Sequence, residues 1–157
     1  MPSPIVQFES VRKNYRMGLI TVEALRGVTF NIDLPPNLPT AFADPTYVEQ
    51  VVRNLLSNAA KYGGSDTTVR VTAESDEREI TVTISDDGPG FPAEEAERVF
   101  ELFFRSGRTA ASAAGAGIGL FVCSRLIRAM GGRIWATPGE GHGAAFSFTL
   151  RVMPEEP

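Results

Sequence analysis

The sequence predicts one domain that combines α-helices with β-strands, and three observations support this. Apolar residues recur at helical spacing through residues 48–59, which indicates an amphipathic helix. Apolar and polar residues alternate over 67–74 and 79–85 around a short polar turn, as in an antiparallel hairpin. A second apolar run, over 118–130, stops at two glycines, which commonly end helices.

The remaining elements follow in chain order. Residues 5–8 and 22–32 form two extended runs, and the prolines of 33–40 predict an extended connector. Asp44 and Pro45 then mark a helix start, as N-cap and first helical residue. A short helix is expected at about 93–99 and a loop over 105–117. Strands at 134–137 and 144–152 close the domain around a glycine-rich turn.

The composition limits the classes of partner. The 157 residues suffice for one hydrophobic core, with 43% hydrophobic and 22% charged residues. A net charge of −4 argues against nucleic acid and against direct membrane contact. A single cysteine excludes an internal disulfide. Because neither a membrane span nor a signal-peptide pattern occurs in the sequence, a cytoplasmic location is expected.

The first predicted helix places three polar candidates on one face. Asn54, Asn58 and Lys61 lie at i, i+4 and i+7, about a third of a turn from the apolar stripe. Carboxamide oxygens suit Mg²⁺, and a lysine offsets phosphate charge. An ordinary solvated polar face would explain the same residues, so this face alone does not establish a site.

Strand parity singles out Asp86. It continues the face of Ile80 and Ile84 at the end of the predicted strand, so it points inward and needs a hydrogen-bond donor. The exocyclic amine of a purine would supply one. Gly88 and Gly90 allow close ligand approach and positive φ. The same residues are also consistent with a β-turn and nothing more.

A second glycine segment runs directly into the last predicted helix. Gly115, Gly117 and Gly119 leave free N–H groups that could meet phosphates. Their spacing is not the dinucleotide-binding fingerprint, and no P-loop motif occurs in the sequence.

Aromatic and basic residues lie between the two glycine segments. Phe100, Phe103 and Phe104 could anchor a lid, with Arg105 or Arg108 reaching a γ-phosphate, although at least one phenylalanine is expected in the core. Three other residues are expected to be structural: an exposed turn histidine, His142, and two core side chains, Cys123 and Trp135.

From about residue 33 to 152 the chain resembles the catalytic and ATP-binding domain of sensor histidine kinases. These belong to the GHKL (Bergerat) ATPase superfamily, with gyrase B, heat-shock chaperones and MutL repair proteins. The resemblance lies in 54–62 (NLLSNAAKY, N box), 86–90 (DDGPG, first glycine box), 100–105 (FELFFR, F box) and 115–120 (GAGIGL, second glycine box). It implies an α+β fold, a two-layer sandwich whose mixed, mainly antiparallel sheet is covered on one face by three helices.

The resemblance also implies the cofactors, ATP and Mg²⁺, and a role for each site residue. Asp86 would bind the adenine amine, and Tyr62 would flank the base. Asn58 would hold Mg²⁺ with Asn54 beside it. The residues expected at phosphoryl transfer are Asn54, Lys61 and Arg105. The other expected nucleotide contacts are Gly88, Gly90, Phe104, Gly115, Gly117, Gly119 and Leu120.

Position 54 distinguishes two reactions within this superfamily. Members that hydrolyse ATP carry a glutamate base four residues before the metal-binding asparagine. Asn54 cannot accept a proton at neutral pH, which favours transfer of the γ-phosphoryl group to a protein histidine. Two alternatives stay open: an ATPase that drives a conformational clamp, and a non-catalytic chimeric fragment.

Two departures from the kinase pattern matter. No H box is present, because His142 lies downstream and off any predicted helix. The phosphoacceptor-histidine dimerisation domain and a response regulator are therefore expected as partners. The chain itself is expected to be either a free cytosolic protein or the cytosolic part of a membrane-bound sensor.

Residues 5–32 instead resemble the first β-hairpin of ABC-transporter ATPase subunits, which divides the chain into 1–32 and 33–157. The strand around 28–32 is expected to replace the first strand of the kinase domain. The other is expected to add to a sheet edge, or to pair with a second copy in a homodimer.

Overall fold

The computed structural model describes residues 6–8, 15–17, 20–22, 27–107, 115–140 and 142–154. Two α-helices occur in this part of the chain, α1 (Pro45–Tyr62) and α2 (Gly119–Ala129). The strands are β1 (Val6–Phe8), β2 (Tyr15–Met17), β3 (Ile20–Val22), β4 (Thr29–Asp33), β5 (Thr68–Ser75), β6 (Glu79–Asp86), β7 (Ile134–Pro138) and β8 (Ala144–Arg151).

Six of these strands form one sheet in the order β1-β4-β5-β6-β8-β7. β4 and β5 run parallel, whereas every other neighbouring pair in the sheet is antiparallel. The mixed, mainly antiparallel sheet expected from the sequence is therefore confirmed. β2 and β3 form a separate two-stranded hairpin.

The core lies between the sheet and the two helices. Alternate residues of β8 point toward the helices, so Phe148 is fully buried there and packs in one cluster with Leu55 of α1 and Ile127 of α2. The intervening Ser147 and Thr149 belong to the opposite face, where Ser147 Oγ lies 2.8 Å from Thr83 Oγ. The sandwich with helices on one face of the sheet is thus confirmed.

Local sequence signals explain the ends of both helices. Asp44 caps α1 by accepting hydrogen bonds from the N–H groups of Thr46 at 2.8 Å and Tyr47 at 3.3 Å. α2 ends before Gly131, which has φ of 77°, a left-handed conformation that glycine adopts without strain. Both helices therefore begin and end within a residue or two of the expected positions.

The segment after Pro92 differs from its prediction. Instead of one short α-helix at 93–99, the chain forms two 3-10 turns, Ala93–Glu95 and Arg98–Phe100. A segment this short gains few α-helical hydrogen bonds, and tighter turns satisfy the same backbone groups. The third helical element of the layer is present in this form.

Trp135 also differs from its prediction. Its side chain is 38% exposed on β7, with the Arg133 guanidinium 5.7 Å from the ring centroid. Burial of Trp135 in the core was therefore a wrong prediction, because residue 135 lies on the sheet face away from the helices. Cys123 is fully buried, as predicted.

The N-terminal segment continues the sheet. β1 pairs with β4 at the edge, and β4 pairs with β5. Val28 and Phe30 are almost fully buried in the main core, so the predicted boundary between residues 32 and 33 falls inside β4. Pairing of the hairpin with a second copy stays a prediction.

Candidate functional site

A cavity of about 250 Å³ opens between α1, the ends of β6 and β8, and the start of α2. It brings together residues from all four sequence motifs, which are separated by up to 66 positions along the chain. The lining residues are Asn54, Ser57, Asn58, Lys61, Tyr62, Asp86, Gly90, Phe91, Val99, Phe104, Arg105, Ser106, Gly115, Ala116, Gly117, Ile118, Gly119, Leu120, Ala144 and Phe146.

The flank of α1 forms one wall of this cavity. Asn54, Asn58 and Lys61 all line it, as their helical spacing indicates, while Leu55 and Ala59 on the neighbouring stripe are buried in the core. Because α1 packs on the sheet with one side only, its polar flank is left to face the cavity.

Asp86 lies at the end of β6 and faces the cavity, as strand parity predicted. The Gly88 N–H donates to its Oδ1 at 3.0 Å. Burial raises the pKa of this carboxyl, the Gly88 hydrogen bond opposes that shift, and the neighbouring charge of Asp87 adds to it. Asp87 points away and accepts a hydrogen bond from the Thr68 N–H at 2.8 Å. The two aspartates therefore have different environments.

The loop after Asp86 is held by close backbone packing. Gly88 does not line the cavity; a Cβ at this position would collide with Gly63, the residue after α1. Gly90 has φ of 66° and no room for a Cβ beside the Gly143 carbonyl. The Gly143 N–H in turn donates to the Gly88 carbonyl. Gly88 thus positions the loop, whereas Gly90 contributes directly to the wall.

The F-box segment and the second glycine segment form the opposite wall. The Phe103 N–H donates to the Gly117 carbonyl at 2.9 Å, and a Cβ on Gly117 would lie 2.8 Å from Phe103 C and Phe104 O. Phe104 lines the cavity, and the Arg98 guanidinium lies 4.7 Å from its ring centroid. Phe100 instead packs edge-on against Phe146 at 6.3 Å.

Phe103 is the unusual residue of this wall. Its φ is 64°, a conformation that a bulky side chain rarely adopts, and it is 67% exposed. The three phenylalanines that were expected to anchor a lid therefore have different positions. Phe100 contacts the core, Phe104 lines the cavity, and Phe103 stabilises the turn through its backbone.

The structure places the predicted site residues together, with one exception already described. Thirteen positions were singled out, and all but Gly88 line the cavity. Arg105 is among the lining residues; Arg108 lies outside the described residues.

Sequence reasoning missed the apolar side of the cavity. Phe91, Val99, Ala144 and Phe146 line it, and alternation along β8 was the available signal for the last two. The local sequence around these residues predicts core packing, and only the tertiary arrangement shows that the cavity reaches them.

Two structural features are absent from the described part of the chain: a cluster of metal-binding side chains and a membrane-spanning helix. No group of three His, Cys, Asp or Glu side chains is close enough there to hold a metal ion. Neither described helix combines the length and apolar character that crossing a membrane would require.

Comparison with known proteins decides the family. Residues 43–154 match the model of the histidine kinase-, DNA gyrase B- and HSP90-like ATPases. The chain belongs to this ATPase family. It is a histidine kinase-type ATP-binding catalytic domain, so the resemblance noted from the four motifs is confirmed.

The similar proteins are sensor kinases. The adaptive-response sensory kinase SasA of Prochlorococcus marinus is 39% identical over 128 residues, which are 81% of this chain and 34% of that protein. This chain therefore spans about a third of the length of that relative.

Solved structures share the fold. The mycobacterial sensor histidine kinase MprB has a TM-score of 0.73 at 29% identity, covering 82% of this chain and 86% of that one. Full-length ShkA in complex with AMPPNP has a TM-score of 0.69 at 30% identity, covering 81% and 26%. The histidine kinase ThkA in complex with the response regulator TrrA has a TM-score of 0.67 at 27% identity, covering 83% and 36%.

Proposed function

We propose that this domain binds Mg²⁺-ATP in the cavity and donates the γ-phosphoryl group to a histidine on a separate phosphoacceptor domain, from which a response regulator receives it. The observation that carries this proposal is the distribution of acidic and carboxamide groups around the cavity. Among the described lining residues Asp86 is the single carboxylate, and the position of a hydrolytic base is taken by Asn54.

The cavity has two chemically different ends. Asp86 belongs to one end, near Gly63 at the close of α1, and the apolar side chains of Phe91 and Phe146 lie with it. Asn54 belongs to the other end, beside Gly119. Asn54 and Tyr62 are about 12 Å apart along the helix axis, at 1.5 Å per residue, which suits the length of a nucleotide.

The end of the cavity at Asp86, the base end, fits adenine; the end at Asn54 is the phosphate end. A planar base buries well against apolar side chains, and an ionised Asp86 accepts a hydrogen bond from the exocyclic amine. Tyr62 would flank the base, and the approach of its hydroxyl to Gly115 across the cavity supports this role. The base end therefore offers one polar group, the Asp86 carboxylate, that can recognise the adenine amine within an apolar pocket.

The phosphate end fits an anion. Arg105 supplies positive charge along the lining, and Lys61 adds a charge at the tip of a long side chain from the last turn of α1. The N-terminus of α2 adds N–H groups and the positive end of its dipole. Ile118, the residue before α2, makes no side-chain cap, so a phosphate could use these N–H groups.

The donor set also fits one Mg²⁺ that enters with the nucleotide. Asn54 and Asn58 supply neutral hard oxygens but no negative charge, so phosphate oxygens and water must complete the coordination shell. When bound, Mg²⁺ would neutralise charge that develops on the phosphates. Asn58 would hold it with Asn54 beside it, and Lys61 would bind the phosphate oxygens.

The reaction requires no base at the phosphate end. The acceptor imidazole nitrogen forms a bond to the γ-phosphorus as the bond to the bridging oxygen breaks, and ADP leaves. An unprotonated imidazole nitrogen is already nucleophilic, so positioning and charge stabilisation are sufficient. Hydrolysis would need a group that removes a proton from water, and Asn54 cannot do so.

The site gives less support to two other functions. An ATPase that drives a conformational clamp lacks its base at position 54. A non-catalytic fragment leaves the convergence of four motifs on one cavity without an explanation.

Phosphate release by the purified chain separates these functions. We expect ATP binding by calorimetry with no phosphate release above that of a protein-free reaction. Sustained release that is lost in the Asp86→Asn variant would support the clamp ATPase, and absence of ATP binding would support the non-catalytic fragment.

A further inference from the structure

Phe104 is the aromatic side chain through which the F-box segment faces the cavity, and a cation lies over its ring. The Arg98 guanidinium carbon is 4.7 Å from the ring centroid, within the range of a cation–π contact. Phe104 lines the cavity, whereas Arg98 is absent from the described lining residues. Arg98 therefore contacts the ring from outside the cavity and leaves the interior to a ligand.

The local backbone brings these two residues together. The Glu101 N–H donates to the Arg98 carbonyl at 2.9 Å, and the Phe104 N–H donates to the Glu101 carbonyl at 3.2 Å. Two successive tight turns therefore carry the chain from Arg98 to Phe104. Within the first turn, Val99 is buried in the core and Phe100 packs against it, so the segment has a fixed position.

Arg98 itself is a surface residue. Its Nε lies 3.8 Å from Glu101 Oε2, and both side chains are more than half exposed. An exposed ion pair of this kind contributes little to the stability of the fold. Arg98 can therefore be substituted without disturbing the core, and its effect on Phe104 can be measured separately from folding.

Phe104 needs support because its side chain is only half-buried. A partly exposed aromatic side chain that is free to change its rotamer must be ordered when a ligand binds, and this ordering reduces the affinity. A guanidinium over the ring stabilises the orientation in which the ring lines the cavity. The contact thus forms this part of the wall before a nucleotide enters.

We infer that Arg98 is a positioning residue for nucleotide binding, which holds the Phe104 ring in place as a wall of the cavity. The inference rests on the proposed function, because it assumes that a nucleotide in the cavity contacts Phe104. Arg98 lies two positions before the F box, outside all four motifs.

The test is a double-mutant cycle on AMPPNP affinity in Mg²⁺, measured by calorimetry. Arg98→Gln should weaken binding about two- to fivefold, the effect of one exposed cation–π contact. Arg98→Lys keeps a cation and should recover most of the lost affinity. In a Phe104→Leu background, where no aromatic face is left, Arg98→Gln should have no further effect.

A matched control accounts for charge, because AMPPNP is an anion and the loss of any cation weakens the overall attraction. Arg53 is as exposed as Arg98 and also forms an ion pair, with Glu49, but it does not line the cavity. Arg53→Gln should therefore leave the AMPPNP affinity unchanged.

Three results would overturn the inference. Arg98→Gln could bind AMPPNP as the wild type does, weaken binding only as much as Arg53→Gln does, or weaken it equally with and without the Phe104 ring. The last result is what a merely structural role would give. If Phe104→Leu does not melt cooperatively, Phe104→Met, which also lacks a ring, replaces it under the same criteria.

The wild-type chain separates this inference from the proposed function. AMPPNP binding by the wild type without coupling between residues 98 and 104 overturns the positioning role alone. No AMPPNP binding by the wild type overturns the proposed function, and the positioning role with it.

Discussion

Asp86 combines its proposed role in binding adenine with an environment that is unfavourable for a charged carboxylate. Its carboxylate is half-buried, and one hydrogen bond from Gly88 only partly offsets the loss of water and the charge of Asp87. The raised pKa means that Asp86 takes up a proton at a higher pH than an exposed aspartate does. The protonated carboxyl is a weaker acceptor for the adenine amine, so binding should depend on pH.

Adenosine binding should therefore weaken as pH falls through the raised pKa of Asp86. Adenosine is the suitable probe because it has no phosphates that titrate. The Asp86→Asn variant should lose this pH dependence, whereas Asp87→Asn, at the exposed neighbour, should keep it. Calorimetric titrations across the acidic range measure this, and a flat wild-type profile would contradict the assignment of Asp86.

Asp86→Asn, which should weaken adenine binding, should not weaken the stability of the unliganded domain. A carboxyl whose folded pKa is raised favours the folded state below its unfolded pKa, and this contribution is lost as pH rises through the folded pKa. At neutral pH the charged Asp86 therefore destabilises the unliganded domain, and Asp86→Asn should unfold at the same or a slightly higher temperature. A lower melting temperature would mean that Asp86 has a structural role instead.

At the scale of elements, the F-box segment and the second glycine segment are joined by a backbone hydrogen bond. The Phe103 N–H donates to the Gly117 carbonyl, and both residues have positive φ. A bulky residue in this conformation is strained, and such strain persists only where the surrounding structure maintains it. The F-box segment therefore helps to place the second glycine segment, whose glycines line the cavity.

Gly117→Ala should disrupt this connection. Its Cβ would lie 2.8 Å from backbone atoms of Phe103 and Phe104, and its φ of 67° is unfavourable for alanine. We expect AMPPNP affinity to fall about tenfold or more, and stability by about 1–2 kcal/mol. Gly107→Ala is the matched control, because nothing lies within 4 Å of its Cβ position. Equal affinities of the two variants would contradict this role.

Sequence periodicity predicted which faces the elements present. The apolar stripe of α1 fixed its orientation on the sheet, and that orientation left Asn58 facing the cavity. The alternation of faces along β6 correctly predicted that Asp86 points inward. Trp135 shows the limit, since an aromatic residue in a strand can face either side and the alternation of β7 was too short to decide.

Some features depend on contacts that no local pattern contains. The Gly143 N–H supports the loop at Gly88, and a Cβ at Gly90 would collide with the Gly143 carbonyl, across more than 50 residues of sequence. The hydrogen bond from the Asn54 Nδ2 group to the Gly119 carbonyl of α2 is of the same kind. These contacts follow from how the elements pack together, so they become visible only in the folded chain.

For the whole molecule, β4 belongs to the kinase-type core. It supplies Phe30 to the cluster beneath α1 and joins β5 in the parallel pair of the sheet. The family match begins at residue 43, downstream of this strand, and the fold shows that the strand is part of the same core.

Two truncations test that extent. A chain of residues 27–157 should melt cooperatively and bind AMPPNP as the full chain does. A chain of residues 34–157 loses β4, and removal of Phe30 alone should cost about 3–5 kcal/mol, so this variant should not fold cooperatively. Thermal melting by circular dichroism distinguishes them, and a cooperatively folded 34–157 would show that the domain begins after β4.

The most direct test of the account is calorimetric titration of the chain with AMPPNP in Mg²⁺, for the wild type and for Asp86→Asn. The account predicts saturable binding by the wild type, in roughly the micromolar to millimolar range, and at least about tenfold weaker binding by the variant. Absence of wild-type binding, or equal affinity of the two proteins, would contradict it.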